Sequence, residues 1–263
     1  MKDVRSRGLA TIRVSGVLLV ALMFALAGSW RATAQEATPS PEAEDMGVCT
    51  EALGFGNEGD ACVNVVHASP DAPAVDVWVD GEPALIGLTF GTYSGWVALP
   101  AGEHQVQVAP AGTSADQAVI DAELTLEEGA AYEVAAVGLV ADISAEVNQI
   151  NLSDLGEDEA RIQVVHVSPD APAVDVAVTG GDVLVSDLEF PDSSGFLTVP
   201  AGSYDLEVRA AGTTDVALPL PGVVLDAGLV YSVYAIGQLA DGTLTVLVVP
   251  TTAEGTLTAT PEA

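Results

Sequence analysis

The sequence predicts an all-β chain built as two tandem antiparallel β-sandwiches, and three observations carry that prediction. A thirteen-residue stretch, Val65 to Val77, returns almost verbatim as Val164 to Val176, an offset of 99 residues. Within each copy, apolar and polar residues alternate with a period of two, the signature of half-buried strands. Turn signals separate many short apolar runs, and no stretch shows sustained helical periodicity with caps.

Each copy opens with two short strands joined by a proline corner, read as an opening hairpin. Val63, Val65 and His67 share one face of the first strand, matched by Ile162, Val164 and His166 in the second copy. In the next strand Val75, Val77 and Val79 alternate with Asp76, Trp78 and Asp80. That alternation assigns Asp76, and Asp175 in the second copy, to an outward, solvated face. Between the strands lie Ser69-Pro70-Asp71-Ala72-Pro73 and Ser168-Pro169-Asp170-Ala171-Pro172. Pro70 and Pro169 preset φ, and the Asp71 and Asp170 carboxylates can accept hydrogen bonds from nearby backbone N–H groups. Pro73 and Pro172 cannot donate to a ladder, so the second strand starts after them.

His67 and His166 invite a metal-ligand or catalytic-base reading. Each lies on the valine face of its strand, with no Cys or second His at ligand spacing. The expectation is a buried neutral imidazole, hydrogen-bonded to backbone or to the corner Asp.

The segment V-H-x-S-P-D-A-P-x-V-D-V resembles the hallmark of the family catalogued as domain of unknown function 4397. The chain looks like a tandem of two such domains, from about Cys62 to Pro250. The resemblance implies a secreted or surface β-sandwich, mostly bacterial. It implies no activity and no catalytic residues, because the family has none assigned.

Further along, Asp80-Gly81 is a tight-turn signal. Pro100-Ala101-Gly102 and Pro200-Ala201-Gly202 read as hairpins with Gly at a position needing positive φ. Strands follow at Val119 to Leu126, Tyr132 to Leu139 and Ile143 to Leu152, answered in the second copy by 222–225, 231–239 and 244–249. About seven short strands in about 100 residues is the pattern of an immunoglobulin-like or transthyretin-like sandwich. A unit of that length holds its own core, unlike a solenoid repeat.

Lys2, Arg5, Arg7 and Arg13 precede an apolar run from Val14 to Ala27. The run is too short to span a bilayer and suits a signal-peptide core, with Ala32-Thr33-Ala34 as the cleavage pattern; an uncleaved signal anchor is the alternative. The organisation is therefore a signal peptide over 1–34, a disordered acidic leader over 35–61 and a first sandwich over 62–152. A linker over 153–160, a second sandwich over 161–250 and a disordered tail over 251–263 complete it. Cys49 and Cys62, the only cysteines, are expected to pair in an exported chain, closing a loop in the leader and fastening it to the edge of the first domain. On the chain-entropy model such a loop stabilises by about 3 kcal/mol, and a zinc site would want about four ligands.

The whole chain carries a formal charge of −31. Without residues 1–34, two cations, Arg161 and Arg209, face 37 carboxylates, giving 2 − 37 = −35. Such a surface repels nucleic acid and anionic membrane and gathers diffuse cations. Asp71, Asp76, Asp80, Asp170 and Asp175 are placed at one end of the sandwich, yet no EF-hand loop or Gly/Asp nonapeptide array brings six to eight oxygens together. No metal or cofactor is predicted.

No G-x-S-x-G elbow, H-E-x-x-H helix or phosphate-cradling glycine loop is present. Trp78, on an outward face, and Trp96 are either sugar-stacking platforms or packed by a loop or the other domain. The expectation is a non-enzymatic protein of the extracellular space or cell envelope, a tandem module for binding, adhesion or spacing with a partner there. The alternatives are a secreted carboxylate-dependent hydrolase at the His67 and Asp71 end, and a calcium-dependent adhesion module.

Overall fold

A computed structural model describes residues 48–253. The expected signal peptide, the leader up to Gly47 and the tail from Glu254 lie outside the described residues. The first copy contributes β1 (Ala61–His67), β2 (Val75–Val79), β3 (Glu82–Leu88), β4 (Thr92–Leu99), β5 (Gly102–Pro110), β6 (Ile120–Leu126), β7 (Ala131–Val137) and β8 (Ser144–Ile150). They form two sheets, ordered β4-β1-β7-β8 and β3-β2-β5-β6. The second copy repeats this with β9 (Glu159–His166), β10 (Val174–Val178), β11 (Val183–Leu188), β12 (Leu197–Pro200), β13 (Gly202–Ala210), β14 (Val216–Leu225), β15 (Leu229–Ile236) and β16 (Thr245–Thr252). Its sheets are β12-β9-β15-β16 and β11-β10-β13-β14. Pairing is antiparallel except for β1 with β7 and β9 with β15, which run parallel. A whole sheet of intervening chain separates each parallel pair, which is the long crossover that parallel pairing requires.

The proline corner is not a hairpin. β1 and β2 belong to different sheets, so the corner carries the chain from one sheet to the other. Five residues of Ser-Pro-Asp-Ala-Pro cannot close a two-residue turn, and Pro73 has no N–H for a ladder. Pro100-Ala101-Gly102 likewise crosses between sheets, since β4 pairs with β1 while β5 pairs with β2 and β6. The tight hairpin is at Asp80-Gly81, where φ values of 52° and 82° match the left-handed pair of a type I′ turn.

Strands β1, β7, β9 and β15 are buried on both faces. One face of β1 (Ala61, Val63, Val65) packs into its own sandwich. The other face looks at the second copy. There Val66, Ala135 and Val137 cluster with Val165, Tyr234 and Ile236, and Cys62, Ala131 and Ile150 cluster with Val230 and Ala253. The molecule is therefore four sheets deep, with a core inside each sandwich and a third core shared between them.

The part of the expected leader from Val48 to Asp60 lies within the described residues. A short helix, α1 (Cys49–Leu53), buries Cys49 and Ala52 in the shared core. Cys49 is bonded to Cys62 across a Cα–Cα distance of 6.0 Å. Because β1 is an interior strand, the bridge fastens the leader at the seam between the sandwiches and not at an edge. Thr251 and Thr252 belong to β16, and Ala253 is fully buried, so β16 runs past the boundary expected at 250. Arg161 secures the joint: it is buried on β9, and its Nη1 donates to Asn151 O at 2.9 Å, Asn151 Oδ1 at 3.1 Å and Ser153 O at 3.1 Å. Arg161→Met, similar in length but unable to donate, should cost on the order of 2–3 kcal/mol in denaturant unfolding, whereas a loss under 0.5 kcal/mol would show that the joint does not need its clamp.

Candidate functional site

The repeated motif builds the corner from its own side chains. His67 is fully buried, and its Nε2 donates to the Pro73 carbonyl at 3.0 Å; His166 does the same to Pro172 at 3.0 Å. A carbonyl only accepts, so the Nε2 proton fixes the tautomer in both. Phe90 sits edge-on to His67 with ring centroids 6.2 Å apart. Burial holds the His166 pKa below the ordinary imidazole value, against the opposing pull of the Pro172 carbonyl. The copies differ at the second nitrogen. The Ser168 N–H reaches His166 Nδ1 at 3.4 Å, whereas His67 Nδ1 has no partner. Ser168 Oγ donates to Gly237 O at 2.8 Å, and Ser69 Oγ is buried without a partner.

The corner carboxylates bond far along the chain. Asp71 accepts from the Val140 N–H at 2.8 Å, while Asp170 accepts from Leu239 at 2.7 Å and Ala240 at 2.9 Å. The Ala240 N–H, foremost, holds the Asp170 carboxyl below its ordinary value. Each corner is thereby tied to the turn after β7 or β15.

Asp76 and Asp175 are not solvated. They are 3% and 6% exposed. Asp76 accepts from the Gly87 and Gly112 N–H groups, both at 2.7 Å; Asp175 accepts from Asp187 at 2.8 Å and Gly212 at 2.9 Å. They do point away from the valine core, but a residue of the paired edge strand (Gly87 or Asp187) and the turn after β5 or β13 take both oxygens. The Asp187 N–H, and then that of Gly212, lower the Asp175 pKa. Asp80, bonded to His104 at 2.7 Å, lies beyond the far end of β2 from Asp71, so the five aspartates do not gather at one end. Among the described residues no cluster of three or more His, Cys, Asp or Glu could hold a metal ion.

The titratable centre that sequence reasoning missed lies in the shared seam. Glu133 on β7 is fully buried and accepts from the Tyr234 hydroxyl of the other sandwich at 2.7 Å. Asn64, Glu133 and Asn148 stand side by side across β1, β7 and β8. Burial raises the Glu133 carboxyl to about 7, the Tyr234 bond pulling the other way. A carboxylate inside the otherwise apolar run Ala-Tyr-Glu-Val-Ala-Ala-Val was its sequence signal. Beside the seam an open cleft of about 530 Å³ is bordered by Glu146, Asp187, Glu189 and Asp192; burial and then Asp192 raise the Glu146 pKa. Trp96 and Phe196 occupy equivalent positions against the shared core.

Two sandwiches joined by a buried seam, each with a crossing proline corner and a buried aspartate, define a tandem all-β protein. The family model described as "Domain of unknown function (DUF4397)" matches residues 61–177 and 177–260, and the chain belongs to that family. No curated protein matches it. Among solved structures, the Bacillus anthracis TIE protein aligns at 11% identity and a TM-score of 0.21, over 68% of this chain and 34% of that one; the chain spans about a third of its length. A family 26 carbohydrate-binding module of Eubacterium rectale Amy13K, solved with maltoheptaose, aligns at 12% identity and a TM-score of 0.23, over 71% and 95%. A streptococcal virulence factor that binds α-glucan aligns at 9% identity and a TM-score of 0.19, over 60% and 83%. Likeness this slight carries no argument about function.

Two predictions follow from the buried carboxyls. Asp76→Ala strands the Gly87 and Gly112 N–H groups and should cost about 2–4 kcal/mol in denaturant unfolding, with Asp76→Asn, which keeps one acceptor oxygen, losing less. Glu133 has the opposite sense to an ordinary carboxylate: its folded pKa of about 7 lies above the ordinary 4.5. The folded chain holds a proton that the unfolded chain gives up, so stability falls as pH rises from 4.5 to about 7. The full change is on the order of 3 kcal/mol. Glu133→Gln should flatten that slope; an unchanged slope would assign it to general charge repulsion instead.

Proposed function

We propose that the chain is a non-enzymatic, exported two-sandwich head that binds a partner in the extracellular space or at the cell envelope. The observation that carries this reading is where the described residues start and stop. Cys49 and Ala253 sit in the same buried cluster, so the described body begins and ends on one side. The body of an in-line spacer would begin and end on opposite sides, whereas a head begins and ends on one. Both β1 and β9 run away from that cluster, so the two proline corners stand together at the opposite end. There Asp71, Pro73, Asp170 and Pro172 are exposed, and the same Asp oxygens hold the corners in shape.

Several features support binding over turnover. The motif histidines are fully buried with Nε2 committed to a carbonyl, and each motif carboxylate is occupied by backbone N–H groups. No helix of the described residues is long and apolar enough to cross a membrane. The acidic surface favours neutral or cationic partners and gathers counterions diffusely.

The test is an array of cell-envelope polysaccharides and peptides read for both retention and product release. Saturable retention without release, and a melting temperature indifferent to calcium, is the expected result. Turnover that disappears in His67→Ala would replace this reading with a hydrolase.

A further inference from the structure

We infer that the interior of each sandwich is a binding site for a small, uncharged apolar molecule. This goes beyond the surface-binding role and does not rest on it. The first sandwich holds a cavity of about 250 Å³ between its sheets, and the second holds one of about 240 Å³. Protein interiors have few voids larger than a water molecule, and a dry apolar cavity of about 150 Å³ already admits benzene.

The cause is legible in the side chains. Val65 pairs with Val134 on one sheet of the first sandwich, and Val77 pairs with Val108 on the other. In the second, Val164 pairs with Val233 and Val176 with Val208. All eight line the cavities. Sheets pack about 10 Å apart, and short valines on both sides do not fill that distance. The seam between the sandwiches is different. Val66, Ala135, Val165 and Tyr234 are 0% exposed, whereas the inward-facing Val134, Val164 and Val233 keep 7–9% and Val65 is half-buried. On the strands covered on both faces the seam side is the more deeply buried, while on the outer sheets Val77 and Val176 are 1% and 5% exposed.

Ligand chemistry follows from the lining. Water in a cavity needs two to four polar partners. In the first cavity the Ser94 hydroxyl is already bonded to Gly95 O and Val65 N–H, and His67 Nε2 to Pro73. Nothing but His67 Nδ1 is left over on those two residues. In the second, the Tyr231 hydroxyl is taken by the Asp226 N–H. Both linings include exposed valines at equivalent edges, Val147 on β8 and Val248 on β16, and the first also includes exposed Val97 on β4. Glu123, exposed on β6, is part of the first lining, and the whole chain is strongly acidic. An anionic tail is repelled there, so the occupant is a neutral ring or hydrocarbon chain.

The matched pair 1-decanol and decanoate tests this on the full chain, with valine methyl resonances as the readout. Decanol should shift the Val65 and Val134 methyls, and those of Val164 and Val233, saturably; decanoate should bind at least tenfold more weakly. Val134→Phe fills the first cavity and should weaken only the first response at least tenfold, while Val233→Phe should weaken only the second. If either phenylalanine variant fails to fold, Val134→Ile and Val233→Ile give the same pattern in smaller degree. Absence of any saturable shift, or shifts that persist unchanged in the filled variants, overturns the site. Decanoate binding as tightly as decanol overturns the assigned ligand class.

Discussion

Four strands that are covered on both faces govern the whole molecule. β1, β7, β9 and β15 each turn one side to their own sandwich and the other to the neighbouring copy. A sheet with two apolar faces cannot stand against water on either, because each fully buried valine or leucine contributes about 1.5–3 kcal/mol that exposure would forfeit. A domain's net stability is only about 5–15 kcal/mol, so a handful of such residues decides whether one copy can exist without the other. The disulfide, α1 and the Arg161 clamp all converge on this seam, and each makes sense as a device that keeps it closed.

The seam also explains where sequence reading succeeded and where it stopped. The duplication, the all-β class and the pairing of Cys49 with Cys62 follow from repeats, period-two patterning and cysteine count. Period two, however, assigns one face to the core and the other to solvent. It read Val63, Val65 and His67 as the buried set and passed over Cys62, Asn64 and Val66, which are buried too. The mostly apolar run Tyr-Ser-Val-Tyr-Ala-Ile, broken only by Ser232, was the available sign of a doubly covered strand. Asp76 went astray for a related reason. Its face is covered by the bulge at Gly87 and the turn at Gly112, contacts that depend on where two later hairpins fold back. Local patterning holds no record of them.

Polar groups in this molecule are spent on shape. The corner histidines fix the sheet-to-sheet crossing, the aspartates gather backbone N–H groups from distant turns, and Arg161 is used for the joint between copies. The proposed recognition role can draw on the acidic exterior, the corner end opposite Cys49 and Ala253, and the two valine-lined interiors. A fully buried core between the copies is not what independent domains on a string would show.

The central claim is that the two sandwiches are one cooperative body held by their shared core. Differential scanning calorimetry of the chain without its first 34 residues tests it directly. A single endotherm, with calorimetric and van't Hoff enthalpies in agreement, is the result this account predicts. Two separable endotherms, one for each copy, would contradict it.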